Sequence, residues 1–298
     1  MDKKVVIATH DGMFHADDVF AVAALLIMLD RTPVVTAIVR TRGIEDVRKA
    51  DFVVDVGSLY LPDKNRFDHH QIGGAGARAN GIPYASFGLV WQKYGEEIAG
   101  GAAEANTVER ILVTPVDADD SGTDIFNKIF PDVVPYAVSD LIHDLRPTWQ
   151  EPQQSISERF LEAVGFARKV LERTIAHAKA AVAAETALRA AYYDASDKRY
   201  IVLPIFYPYE KTLASFPEPL FAVFPRSDGM WAVKTIRDDP SSFKNRKDLP
   251  ESWAGKRDKG LAEITGVPDA IFSHANRFMA VAKSKEGAIA LAEKAIES

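Results

Sequence analysis

The sequence predicts an α/β protein: an N-terminal domain built on a parallel sheet, a helical connector, and a smaller α+β domain at the C-terminus. Three observations support this. Strand, helix, strand, helix and strand patterns alternate within the first 57 residues, the signature of a parallel α/β layer. From Phe160, apolar residues recur at spacings of three and four through Val164, Ala167, Leu171, Ile175, Ala178 and Val182, which predicts one long helix or two abutting ones. Beyond residue 195 the pattern turns strand-rich. The expected boundaries are 1–150, 151–194 and 195–298.

Val5 to Thr9 is a continuous apolar run, expected of a strand buried on both faces. Val19, Ala23, Leu26 and Ile27 share one face of a helix over Asp17–Leu29, with Pro33 after it. Val34–Val39 reads as a second strand, Glu45–Ala50 as a short helix and Phe52–Val56 as a third strand closed by Gly57. The Gly/Ala/Asn-rich stretch Gly73–Gly81 is expected to be a mobile loop, and Ala85–Tyr94 a helix carrying Phe87, Val90, Trp91 and Tyr94. Ser155 with Glu158 forms a capping-box pattern opening the long helix, which ends near Asp194. The later strands are expected at Arg199–Leu203, Leu220–Phe224, Trp231–Ile236, Ala270–Ser273 and Phe278–Ala282, with a last helix opened by Ser284.

The 298 residues are 47% hydrophobic and 26% charged, which excludes a disordered or low-complexity chain. The formal charge of -6 provides no whole-chain basic field for nucleic acid, so any such role needs a local basic groove. Zero cysteines remove disulfides, thiolate zinc sites and cysteine nucleophiles. No apolar run reaches the roughly 18 residues of a membrane span, so no membrane partner is expected. The chain enters its first strand at once, leaving no room for a signal peptide, and a cytoplasmic location is the expectation.

Chemistry concentrates in four places: THDGMFHADD with His10, Asp11, His15, Asp17 and Asp18; VVDVG with Asp55; RFDHH with Asp68, His69 and His70; and VDADDSGTD with Asp117, Asp119, Asp120 and Asp124. Asp17 or Asp18 could equally cap the helix that follows, and an Asp/Gly/Ser mixture such as the fourth stretch is commonly a plain loop. Asp55 is harder to set aside, because a carboxylate within an apolar run needs a partner. In a parallel sheet, the loops beyond the carboxyl ends of neighbouring strands converge on one crevice. Several carboxylates gathered there repel one another unless cations neutralise them. Imidazole mixed with carboxylate suits Mn²⁺, Fe²⁺ or Zn²⁺ better than Ca²⁺, and Mn²⁺ suits an octahedral N/O site. Six or more candidate ligands exceed the need of one ion, so two metals sharing a bridging aspartate is the economical arrangement; such a pair polarises a phosphoryl oxygen and activates water.

With these motifs the sequence resembles the DHH phosphoesterase superfamily and, within it, the family named after the melanocyte proliferating gene product. The resemblance runs from THDGMFHADD to the C-terminus, through VDVG, RFDHHQ, VDADDSG, LRPTW, WAVKTI, SFKNR, SWAGKRD and IFSHA. It implies a DHH-type metal-binding catalytic domain followed by a substrate-binding domain, with two divalent ions, Mn²⁺ foremost and Mg²⁺, Fe²⁺ or Zn²⁺ as alternatives. It implies that His10, His15 and Asp55 hold one metal and that Asp17, Asp55, His69 and Asp117 hold the other. His70 is then expected to face the substrate phosphate, and Asp68 to orient a histidine. The wider superfamily has an aspartate where this chain has His15, and one residue fewer between His10 and that position.

In the C-terminal region, nine Lys/Arg against six Asp/Glu lie between Arg226 and Lys259, a local excess of basic charge. Arg246 and Arg257 match the family segments, and arginine suits planar phosphate contacts. His274 stands where the superfamily places a glycine-rich phosphate loop; here Asn276, Arg277, Phe278 and Met279 replace the glycines, with Arg277 as a substitute anion contact. LRPTW resembles the family segment but has no expected role beyond a turn. The long helix is expected to serve as hinge spacer or homodimer surface. The resemblance implies a metal-dependent phosphoesterase, foremost a 3′-to-5′ exonuclease on RNA or short oligonucleotides. A phosphohydrolase of pyrophosphate or nucleotides, and a non-catalytic metal- or nucleotide-binding regulator, stand as alternatives.

Overall fold

Strand β1 (Lys3–Thr9) has neighbours on both edges, which is why it reads as an unbroken apolar run. It pairs in parallel with β2 (Val34–Arg40) along its whole length and with β3 (Phe52–Val54) at Ile7↔Phe52 and Ala8↔Val53. Beyond β3 lie β5 (Arg66–Phe67), parallel to it, and the edge strand β4 (Tyr60–Leu61), antiparallel to β5. The strand order is therefore β2-β1-β3-β5-β4. The chain leaves β1 on one side to form β2 and returns on the other to form β3. This reversal puts the segments that follow β1 and β3 side by side, the crevice where such sheets bind ligands.

The computed structural model describes residues 3–127, 129–130, 132–152, 156–239 and 242–298. The chain divides into two compact units, Met1–Lys179 and Ala180–Ser298. In the first, α1 (Ala16–Leu29) is buried almost all round, as its nearly unbroken apolar sequence requires. It packs against α3 (Ser86–Ala99), with Phe20 stacked on Phe87 at 5.3 Å between ring centroids. The short helices α2 (Ile44–Lys49), α4 (Ala102–Val108), α5 (Thr114–Asp120) and α6 (Val138–Asp144) complete this unit, with one wider π-type turn, Glu109–Val113, leading into α5.

The long helix α7 (Ile156–Asp194) is continuous. Phe160, Val164, Ala167, Leu171, Ile175 and Ala178 belong to the core of the first unit, whereas Ala184, Leu188 and Tyr192 belong to a core of the second. The capping residue expected at Ser155 lies outside the described residues.

The second unit carries a mixed sheet of β6 (Tyr200–Val202), β7 (Phe221–Pro225), β8 (Trp231–Thr235), β9 (Ala270–Ser273) and β10 (Met279–Ala282), in the order β6-β7-β8-β10-β9. Only the β6–β7 pairing is parallel among these strands. Alternation sorts the side chains between two faces: Phe221, Val223 and Val233 pack with α9 (Asp258–Thr265) and α10 (Lys285–Glu297), while Ala222, Phe224 and Ala232 pack with Ile201, Leu203 and Tyr209. The helix α8 (Glu210–Ala214) lies on that second face through Leu213. Ser284 caps α10 as the sequence predicts, its Oγ accepting from the Gly287 amide at 3.0 Å.

The third strand stops at Val54 rather than Val56, because Asp55 turns into the left-handed region at φ 53°. The helix expected over Ala85–Tyr94 continues to Ala99, where Gly100 at φ 89° ends it. No helix among the described residues is long and apolar enough to cross a membrane. Burial along α7 sets a direct test. Leu171→Ala, at a fully buried position, should cost about 2–5 kcal/mol in urea unfolding, against within about 0.5 kcal/mol for Leu161→Ala at a half-exposed one.

Candidate metal centre

The loop leaving β1 and the first turn of α1 supply the first group of side chains. The His10 Nδ1 accepts from the Gly12 amide at 3.2 Å, which turns Nε2 inward. There it lies 3.2 Å from Asp18 Oδ2 and 3.4 Å from Asp55 Oδ2. The other Asp18 oxygen accepts from the His15 amide at 2.7 Å, so Asp18, rather than Asp17, closes the start of α1.

Asp17 caps a different helix. Its two oxygens accept from the amides of Ser86 at 3.0 Å and Phe87 at 2.6 Å, the opening N–H groups of α3. The next amide, Gly88, donates to Asp117 at 3.0 Å. Three N–H groups that a helix start leaves unpaired are thus satisfied by carboxylates from α1 and α5, with the helix dipole favouring their charge. The approach is close enough to require glycine, since a Cβ on Gly88 would stand 1.8 Å from Asp117 Oδ2.

Asp55 occupies the middle. Its amide donates to Phe67 O at 3.1 Å, and its positive φ, rare for a residue with a Cβ, swings the carboxylate into the crevice. One oxygen faces His10; the other lies 3.4 Å from His69 Nε2 and 3.3 Å from His70 Nδ1. His69 Nε2 also stands 3.2 Å from Asp120 Oδ2 and 3.9 Å from Asp17 Oδ2. Asp68, fully buried, accepts from the His70 ring at 2.8 Å, the His70 amide at 3.0 Å and the Ser58 amide at 2.6 Å. It therefore steers His70, whose side chain is 58% exposed.

Among the described residues, three sets of side chains place ligand atoms within 4.8 Å of one another: His10, His15 and Asp55; Asp55, His69 and His70; and Asp17, His69 and Asp120. Asp55 and His69 each belong to two sets. The first set is the trio expected from the sequence. In the second location the structure brings in Asp120 and does not bring in Asp117. Asp117 is held at 2.7 Å by Arg78 Nη2, whose Nε donates to Glu109 at 2.6 Å, and by the Gly88 amide. Asp120 lies one helical turn further along α5 and projects toward His69.

Electrostatics favours a cation here. Burial lifts Asp17 well above the usual carboxylate range, and the charges of Asp55, Asp120 and Asp117 add to it. Asp18 and Asp120 are raised for the same first reason. Burial alone would depress the His10 imidazolium, yet Asp18 and Asp55 outweigh it and raise its pKa to about 9. Asp55 moves the other way: burial opposes its charge, but His10 and His69 hold it below its ordinary value. Asp117 is pushed up to about 7 by burial, against the pull of Arg78. The His10 Nε2, Asp18 Oδ2 and His69 Nε2 atoms are buried and without aligned hydrogen bonds. Orphaned imidazole nitrogens beside carboxylates, with no thiolate in the chain, form an N/O donor set that fits divalent ions such as Mn²⁺, Fe²⁺ or Zn²⁺.

The residues from 6 to 296 match the model MYG1_exonuc, described as an uncharacterised protein family, UPF0160. The chain belongs to this family. A MYG1 protein of Dictyostelium discoideum is 30% identical over 322 residues, covering 98% of this chain and 96% of that protein. The MYG1 protein of Schizosaccharomyces pombe is 30% identical, covering 100% of this chain and 99% of its own. A mouse relative named MYG1 exonuclease is 29% identical, covering 96% of this chain and 83% of its length.

The expected substrate contacts of the second unit are dispersed. Arg246 is largely buried, with four of its five donors engaged by Asp238, Phe216 O, Pro219 O and Ala214 O, so that its guanidinium anchors backbone. Arg257 lies over the Phe272 ring at 4.8 Å, and His274 stands between Phe272 and Phe278. Arg277, at φ 57°, donates to Asp248 at 2.9 Å. Part of the basic strip is paired within the unit, Arg226 with Asp228, Lys234 with Glu210 and Lys259 with Glu263.

Two expected outcomes follow from this geometry. Asp120→Asn should weaken metal binding at least about tenfold in calorimetric titration, since even partners outside the ligand set cost 10–100-fold. Asp117→Asn should instead lower unfolding stability by about 2 kcal/mol, through lost charged hydrogen bonds. The pH dependence has a definite sign. His10 and the crowded carboxylates bind protons more tightly folded than unfolded, so the metal-stripped chain loses stability as pH rises. The contribution of His10 is complete below its ordinary value of 6.5 and gone above about 9. Across that interval the thermal midpoint of the stripped protein should fall, while that of the metal-loaded protein should change less.

Proposed function

We propose that this protein is a metal-dependent phosphodiester hydrolase of the DHH type, acting as a 3′-to-5′ exonuclease on RNA or short oligonucleotides. The observation that carries the reading is the position of Asp55, with one oxygen toward His10 and the other toward His69 and His70. That arrangement supports a shared, bridging ligand between two ions. The relatives from mouse and human named MYG1 exonuclease support the reaction class.

His10, His15 and Asp55 would hold one ion; Asp17, Asp55, His69 and Asp120 would hold the other. When bound, the two ions, Mn²⁺ by preference, polarise the phosphoryl group and make water a nucleophile at neutral pH. The chain's own residues do the rest. Asp17 is fixed by the α3 amides, so the ligand set is preorganised before substrate arrives. Asp68 holds the Nδ1 side of His70 and leaves Nε2 to meet the substrate phosphate, where a protonated ring can donate to the departing oxygen. In the second unit, Arg257, His274 and Arg277 are the proposed substrate contacts. The Arg277–Asp248 pair is partly exposed and readily exchanged for phosphate.

A second reading, hydrolysis of a small nucleotide or pyrophosphate at the same site, is favoured by the self-pairing of the basic strip. Metal-stripped protein incubated with end-labelled RNA, single-stranded DNA and pyrophosphate, with and without Mn²⁺, separates the two. The expected result is stepwise loss of 3′ nucleotides from RNA, dependent on Mn²⁺ and abolished in an Asp68→Ala/His69→Ala variant. Turnover of pyrophosphate alone would favour the second reading, and no turnover despite stoichiometric metal binding would overturn both.

A further inference from the structure

The segment Leu145–Trp149 follows α6 and has no part in the metal set, yet its arginine faces it. A cavity of about 590 Å³ is lined by His15, Asp17, His69, Asp119, Asp120 and Arg146, among others. Around this cluster, the other arginines are engaged. Arg40 donates to Gly12 O and to Ser157 Oγ at 3.4 Å and lies over the Phe160 ring; Arg78 bridges Glu109 and Asp117. The Arg146 guanidinium has no ion pair or hydrogen bond among the described residues, and its Nε is buried without a partner. Its backbone is fixed, the amide donating to His143 O at 3.0 Å and the following Pro147 being buried.

A half-buried guanidinium beside carboxylates that it does not pair with is an unusual expense of desolvation. Burial pulls the Arg146 pKa down, while Asp18 and Asp119 restore part of it. Were Arg146 a structural counter-ion, it would sit against Asp119 or Asp140, which line the same cavity. It instead lines the same cavity as His15, Asp17, His69 and Asp120, paired with no carboxylate among the described residues. A planar fork matches two oxygens of a phosphate better than any other side chain. Charge on the non-bridging oxygens of a phosphoryl group is what such a clamp stabilises.

We propose that Arg146 is a phosphate-binding residue of this site, taking the non-bridging oxygens of the phosphoryl group under attack. The inference rests on the phosphoesterase reading above and names a substrate contact for it. The group it recognises is a tetrahedral oxyanion, which inorganic phosphate reproduces.

The test is calorimetric titration of inorganic phosphate into the Mn²⁺-loaded protein, for the wild type, Arg146→Ala and Arg146→Lys. Metal stoichiometry and thermal midpoint are measured on each variant. Arg146→Ala should keep both and weaken phosphate binding at least about tenfold, about 1.4 kcal/mol. Arg146→Lys should recover part of the loss, as a point charge without the fork. On an oligonucleotide substrate the alanine variant should lower kcat more than it raises KM. Wild-type phosphate affinity in Arg146→Ala would overturn the proposal, as would no phosphate binding by the loaded wild type. Loss of metal in both variants would also overturn it, in favour of a purely structural role. Phosphate held through Arg146 in a protein that cleaves no RNA would sink the exonuclease reading and leave this inference standing.

Discussion

Mutual repulsion among buried carboxylates is the constraint around which the N-terminal unit is arranged. Asp17, Asp18, Asp55 and Asp117 are all almost wholly removed from water, and Asp120 is partly so. A fold could tolerate this charge only by surrounding it with donors, and each carboxylate has its own. The α3 amides serve Asp17, and Arg78 with one further amide serves Asp117; His10 and the His15 amide serve Asp18, and three imidazoles converge on Asp55. Among the atoms these donors leave without aligned hydrogen bonds are His10 Nε2, His69 Nε2 and Asp18 Oδ2, all of them in the crevice. The unbalanced charge of the fold and its candidate metal centre are therefore the same feature.

The surrounding architecture serves that arrangement. The reversal of strand order between β2 and β3 is what allows His10, after β1, to meet Asp55, after β3. Placing Asp55 in the left-handed region costs on the order of 1 kcal/mol. That conformation ends β3 and aims the carboxylate where an extended residue would not. Burial of α1 on nearly every side holds its first turn against α3, so the rigidity of an apolar helix is transmitted to Asp17. Apolar packing of α1 and the hydrogen bonds from the α3 amides together fix the position of Asp17.

Most regular elements were legible because their cause is local. Short apolar runs located β1, β2 and the C-terminal strands, and helical spacing located α1 and α7, within a residue or two. The elements missed, β4, β5 and the short helices α4 to α6, α8 and α9, are two to eight residues long and too brief to show a period. The Asp117–Asp120 stretch illustrates the difficulty: its Asp/Gly/Ser composition reads as a loop, yet it is the last turn of a helix. Only as a helix does the spacing of three between Asp117 and Asp120 acquire meaning. It sends one carboxylate to Arg78 and α3 and the other to His69.

By itself the sequence determined the class of fold, the presence of an imidazole and carboxylate donor set, and the absence of thiolate chemistry. These depend on composition and on short-range periodicity, which one chain displays directly. The tertiary structure decided which residues share a site. Asp120 displaced Asp117 beside His69, Arg246 proved to anchor backbone, and Arg146 emerged facing the cluster from a segment whose pattern carried no chemical signal. Each of these turns on the direction of a side chain relative to groups supplied by other segments of the chain. Spacing along a chain cannot encode that direction, because it is set only when helices and strands close against one another.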